Sequence, residues 1–198
     1  TTAIQSGKTY RVRDRCYNAH GWGSYSPIGS IIAATKPDPP LAPTISIDGT
    51  NVKIVWAEPT NTGGNLIAIT KYKVEIQKHD GTYAEDLTNC DAYTGSGYAA
   101  LVSSKTCYIP MSLITDTSTG FGFTAGQDVT ARVTAGNVID YGLPGPVSTV
   151  PVLAQVLPLK PASPPTRDSA TNENQIVIDW ALISSPGGGG SAITSYNL

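Results

Sequence analysis

Asn51-Val52-Lys53-Ile54-Val55-Trp56 alternates apolar and outward positions with a period of two. Successive side chains of a strand point to opposite faces, so Val52, Ile54 and Trp56 share one face, and that face has to be buried. Lys71 to Lys78 repeats the pattern with Tyr72, Val74 and Ile76, and Asp128 to Asn137 repeats it with Ala131, Val133 and Ala135. Val147 to Val152 supplies a closing strand. The stretches between are rich in Gly, Pro, Asn and Asp, which turns require. Strands at this spacing predict an all-β architecture, an antiparallel sandwich of about 100 residues.

Working outward, the same signals recur. Trp56-Ala57, Gly63-Gly64 and Ala68-Ile69-Thr70-Lys71-Tyr72 return 124 residues later as Trp180-Ala181, Gly187-Gly188 and Ala192-Ile193-Thr194-Ser195-Tyr196. Lys36-Pro37 returns as Lys160-Pro161 at the same offset. A second match aligns Tyr10 to Asn18 with Val129 to Asn137, 119 residues on, and Gly23 to Ser26 with Gly145 to Ser148. The expectation is a tandem array. Residues 1–36 are the C-terminal part of one repeat, 37–159 a complete repeat, and 160–198 the N-terminal part of the next. Half a sandwich cannot bury its own apolar face, so the parent protein is expected to be longer than this chain.

The motifs resemble fibronectin type III domains. The features are a Pro-rich lead-in, Trp56 on the second strand, a Gly-containing loop, and Ile69-X-X-Tyr72 on the third strand. The sixth strand reads Tyr10-X-Val12-Arg13-X-X-Cys16-X-Asn18, followed by Gly21-X-Gly23 and a Ser. The resemblance covers nearly the whole chain except residues 80–108 and implies tandem sandwiches, one complete and two partial. It speaks to fold more than to function. An immunoglobulin domain would instead place a third-strand Trp between two Cys, and neither Trp56 nor Trp180 stands so. Two departures are notable. Asp14 replaces the apolar residue represented by Val133, which predicts an exposed edge or an irregular partial repeat. Val129 replaces Tyr10, which removes a tyrosine-corner hydroxyl from the complete repeat.

Residues 80–108 read as an insertion between the middle strands. Cys90 and Cys107 bracket a loop whose closure is worth about 3 kcal/mol in the chain-entropy description, and a long insertion needs an anchor. A Cys90–Cys107 disulfide is expected, the alternative being two unpaired thiols. A two-Cys insertion here also resembles those of large repetitive surface proteins of single-celled eukaryotes. Cys16 aligns with the inward Ala135 and is expected to be a free core thiol, an intermolecular bridge being the alternative. Tyr93 and Tyr98, with Tyr83 and Tyr108 nearby, make the insertion a possible contact surface. Tyr17, Trp22 and Tyr25 read as cover for the sandwich rim. His20 and His79 read as solvated loop residues, and Gly187 to Gly190 as a flexible turn.

Composition narrows the function. The net charge of −2 comes without a basic stripe, so no nucleic-acid partner is expected. No apolar run approaches the length of a membrane span, and no Asn-X-Ser/Thr occurs. No catalytic, cofactor-binding or metal-binding constellation is legible. Linkers such as Lys36 to Pro43 and Leu157 to Pro165 are Pro-dense and should be extended and semi-rigid. The expected function is that of a structural or adhesive tandem-repeat segment of a larger extracellular or cell-surface filamentous protein. It would work by contact with neighbouring repeats, copies of itself or other proteins. A non-catalytic spacer in a secreted multidomain enzyme, or an intracellular cytoskeletal array, is the alternative.

Overall fold

The structure, a computed structural model, describes residues 3–94, 96–184 and 187–197. Four short strands come first: β1 (Thr9–Val12), β2 (Tyr17–Asn18), β3 (Gly21–Trp22) and β4 (Gly29–Ile32). The middle of the chain holds β5 (Thr44–Asp48), β6 (Asn51–Val55), β7 (Lys71–Gln77), β8 (Tyr83–Ala84), α1 (Tyr98–Ser104), β9 (Thr106–Pro110), α2 (Met111–Thr115), β10 (Asp128–Val129), β11 (Ala131–Gly136) and β12 (Val152–Leu153). β13 (Thr166–Arg167) and β14 (Ile178–Asp179) close the order.

The middle strands form two facing sheets. One has the order β5-β6-β9, with Ile45 opposite Ile54 and Ile54 opposite Cys107. The other has the order β11-β7-β8, with Val133 opposite Val74 and Ala135 opposite Tyr72. Beyond β11 a last strand runs irregularly. Gly142, Gly145 and Ser148 donate their N–H groups to the carbonyls of Ala135, Val133 and Ala131, and β12 then pairs with β10. Since β10 and β11 are two parts of one strand interrupted at Thr130, seven strands result, three facing four. That antiparallel order is the fibronectin type III-like arrangement expected from the motifs.

The alternation carries into burial as sequence periodicity requires. Val52, Ile54, Tyr72, Val74, Ile76, Val129, Ala131, Val133 and Ala135 are all buried, and Trp56 is 5% exposed. Trp56 and Tyr72 meet edge to face at 5.5 Å, a geometry that aromatic quadrupoles favour. Among the described residues, none before Ile45 or after Ala154 belongs to this core. The Pro-dense lead-in is not free. Pro37 and Pro40 are buried, and Gly142 and Gly145 approach their carbonyls so closely that a Cβ would collide with them.

One expectation is corrected. Cys16 is exposed, not a core thiol. Its position corresponds to Ala135, but among the described residues no second sheet lies against β1–β4, whereas β5-β6-β9 covers Ala135. Trp180 is likewise 39% exposed although it corresponds to Trp56. Asp14 is exposed, its backbone paired with Ser26, so its charge has no burial cost.

Candidate interaction surface

The insertion is built around the expected disulfide. Cys90 and Cys107 are bonded with Cα atoms 5.4 Å apart, and both are buried. Cys107 belongs to β9 in one sheet. Cys90 lies on a segment that runs beside the other sheet, where Ala92 accepts a hydrogen bond from the Tyr72 N–H. The bridge therefore staples the two sheets across the core. Asp86 shapes the segment by accepting from the N–H groups of Thr88 and Asn89 and from the Asn89 amide. α1 lies on the crossing back to β9, and its Leu101 and Val102 pack on the core.

This course lays the insertion beside the outer face of the β11-β7-β8 sheet. With Tyr72, Val74 and Ile76 pointing in, Lys71, Lys73 and Glu75 point out. Arg132 of β11 sits opposite Glu75, donating from Nε at 2.9 Å, and its guanidinium lies 3.5 Å from the Tyr83 ring centroid. Lys73 pairs with Glu85 at 3.7 Å. The Lys71 ammonium stands 4.3 Å from the Tyr141 ring centroid and 4.9 Å from that of Tyr93, and the two rings meet edge to face at 6.0 Å. Cation–π contacts of this kind fix both partners in place.

The electrostatics follow from partial burial. The Tyr141 phenol is pushed up to about 12, chiefly by burial and secondarily by the Glu85 charge. Burial raises Glu85 as well, against the pull of Lys73. Asp140 is held below the usual carboxylate range, first by the hydrogen bond from Lys36, at 2.7 Å. Acids and bases alternate across the face, so it offers polarisable aromatic surface without a net field. Such a face suits another protein surface better than an ionic polymer.

Of the two residues expected to make contacts, Tyr93 is 51% exposed and sits on this face. Tyr98, 40% exposed, begins α1, and among the described residues no ring contact joins the two. Tyr108 points from the outer face of the opposite sheet, near Lys53. The insertion's tyrosines are therefore dispersed rather than clustered. Sequence reasoning missed Tyr141, Lys71, Lys73 and Arg132. The outward half of the alternation that revealed the core would have found the last three.

Tyr17, Trp22 and Tyr25 do not cover a rim. They are exposed; Arg13 lies 3.9 Å from the Tyr25 centroid and Arg15 4.5 Å from that of Trp22, whose ring meets that of Tyr17 at 5.0 Å. His79 meets the Gln127 amide at 2.8 Å. Among the described residues no three His, Cys, Asp or Glu gather as a metal site, and no helix is long and apolar enough to cross a membrane.

No family model matches the chain. The Kelch domain-containing protein SSO1033 of Saccharolobus solfataricus is 28% identical over 93 residues, which are 47% of this chain and 13% of that protein. Among solved structures, titin domains A168–A170 align with a TM-score of 0.43 and 20% identity over 69% of this chain and 38% of theirs. The twitchin kinase region from C. elegans aligns with 0.41 and 23% over 61% and 17%, and the sixth fibronectin type III domain of a human protein with 0.39 and 19% over 68% and 95%. These likenesses are distant, and the assignment of a fibronectin type III-like sandwich stands on this chain's own strand order and register.

Proposed function

We propose that this chain is a non-catalytic segment of a structural or adhesive repeat array, working by protein–protein contact outside the cell or at its surface. The observation that carries the proposal is the tyrosine and cation lattice on the outer face of the β11-β7-β8 sheet. Tyr93 stands half out of it, and the fold does not need that ring for its core. Tyrosine on a rigid support gives contact area at low entropic cost, and one such face per repeat lets weak contacts add through effective concentration. The buried Cys90–Cys107 bridge supports an oxidising compartment. So does the likeness of the two-Cys insertion to surface proteins of single-celled eukaryotes. The favoured partners are copies of the chain or neighbouring repeats.

Sedimentation of the chain over a wide concentration range tests this. Association that weakens in Tyr93→Ala and not in Tyr108→Ala supports the proposal. A strictly monomeric chain, with residues around Tyr93 and Tyr98 free of contacts in native material, overturns self-association. Reduced Cys90 and Cys107 in native material overturn the extracellular placement.

A further inference from the structure

Two places in the chain where one repeat meets the next, on the division read from the sequence, are built alike. At the first, a turn closes with the Lys8 N–H on the Gln5 carbonyl, and two hydrogen bonds join the strand ends: Gly7 N–H to Ala33 O, and Ala33 N–H to Lys8 O, each 2.9 Å. At the second, the Gln127 N–H closes on Thr124 O, Gly126 N–H reaches Ala154 O at 2.9 Å, and Ala154 N–H reaches Gln127 O at 2.8 Å. The flanking strands share register too, with Thr9 opposite Ile32 and Asp128 opposite Leu153.

Each of these ends meets the Gly-rich loop that follows it. The Thr35 N–H donates to Gly63 O at 2.8 Å, and the Leu159 N–H donates to Gly187 O at 2.9 Å. Donors and acceptors both stand 124 residues apart, so this is one contact made twice. The first meeting adds Asn65 N–H to Ser6 Oγ at 2.9 Å, and the second adds Val156 N–H to Gly189 O at 2.8 Å. Asn137, buried, donates to both Thr35 O and Thr62 O and so ties the incoming chain to the loop. Gly188 and Gly189 are buried, so the segment expected to be a flexible turn is docked. The approach is backbone to backbone. A Cβ on Gly63 would strike the Thr35 carbonyl and the Asn137 amide, and one on Gly190 would strike the Ala154 carbonyl.

We infer that the strand ends of each repeat form a preformed dock for the Gly-rich loop of the next, so that successive repeats are held in one recurring orientation instead of swinging on Pro-rich linkers. The partner of this surface is a following repeat of the same kind. Main-chain groups carry the contact that the two joints share, which tolerates side-chain differences such as Thr35 against Leu159, while the Ser6, Thr35 and Asn137 side chains add to the first joint. The inference rests on the tandem-array reading but is independent of any contact through Tyr93. An array with fixed joints would present its tyrosine faces at a constant rotation and spacing.

The test uses the whole chain in solution. Amide hydrogen exchange should show Thr35 and Leu159 protected at least about 100-fold over the exposed linker residue Leu41, since docked backbone opens only with its joint. Residual dipolar couplings from β1–β4 and from β5–β12 should fit one alignment tensor. Gly63→Ala should cost Thr35 at least about tenfold in protection and leave Leu159 unchanged, while Gly190→Ala should do the reverse. Gly81→Ala is the control, because its φ of +84° matches the +83° of Gly190 but its Cβ meets nothing within 4 Å. It should alter neither joint. Should Gly63→Ala fail to fold, Gly190→Ala, outside the sandwich core, still decides. Thr35 and Leu159 exchanging as fast as Leu41, two alignment tensors, or unchanged protection in Gly190→Ala would each overturn the inference. A monomeric chain with protected joints would instead overturn only self-association.

Discussion

The side-chain Oε1 of Gln127 accepts the Thr124 N–H at 2.7 Å, and the corresponding donor in the first segment, the Gln5 N–H, goes to the Tyr10 hydroxyl at 2.7 Å. Val129 stands where Tyr10 does, so the β5–β12 sandwich lacks the phenol, and a glutamine two residues earlier satisfies the same backbone donor. Replacing Gln127 with Ala should therefore destabilise the repeat by about 0.5–1.5 kcal/mol in urea unfolding. Gln127→Glu, which keeps an acceptor, should retain most of that stability. Equal losses in both variants would show that the Thr124 bond contributes nothing.

Trp56 fills the core between the sheets and meets Tyr72 edge to face. Trp56→Ala should cost about 3–5 kcal/mol, as large aromatic truncations do. Trp180→Ala in the same chain should cost far less, because its ring is partly exposed. Denaturant midpoints of the two variants make the comparison directly.

The disulfide closes a separation of 17 residues and ties β9 to the segment that runs beside the other sheet. Cys90→Ala with Cys107→Ala should lower unfolding free energy by about 2–4 kcal/mol. Hydrogen exchange should quicken first in residues 85–105, which depend on the bridge for attachment, and least in β7 and β11.

Asp140 couples the incoming linker to the fold through Lys36. Its carboxyl is lowered from the ordinary 3.8, so the ion pair contributes stability above that pH and loses it as pH falls through the lower native value. Carboxyl carbon shifts followed by NMR should place the Asp140 midpoint below 3.8, and Lys36→Ala should move it back toward that value.

Tyr141 gives the alkaline counterpart. Its native value near 12 exceeds the ordinary 10, so the native state's preference for the neutral phenol is fully present below 10 and is lost as pH rises from 10 to about 12. Phenolate absorbance should show Tyr141 ionising later than the exposed tyrosines, and Tyr141→Phe should remove one phenolate from the high-pH part of the curve while the buried Tyr72, raised further still by its burial, remains in it.

Much of this was legible because alternation with a period of two reports directly on which side chains face a core. Val52, Tyr72 and Val133 were identifiable from pattern alone, and Cys90 and Cys107 from loop length and the need for an anchor. The candidate surface was only partly legible. Tyr93 was found as an exposed aromatic in an insertion, but Tyr141 comes from the loop after β11 and reaches Tyr93 only through the pairing of β11 with β7. Cys16 was misplaced because alignment with Ala135 gives a strand position and not the presence of a covering sheet.

The sequence by itself determined the strand periodicity, the inward faces and the repeat offset, and it made the Cys90–Cys107 bridge an expectation. These depend on local geometry and on self-similarity along the chain. Only the tertiary structure decided which outward residues become neighbours, as Lys71 does with Tyr93 and Tyr141. It also decided that Gln127 replaces a missing tyrosine, and that Gly63 and Gly187 accept matching hydrogen bonds from Thr35 and Leu159. The first and the last of these join residues far apart along the chain, and the last is made by backbone atoms that every residue carries. Side-chain pattern has no means of recording them.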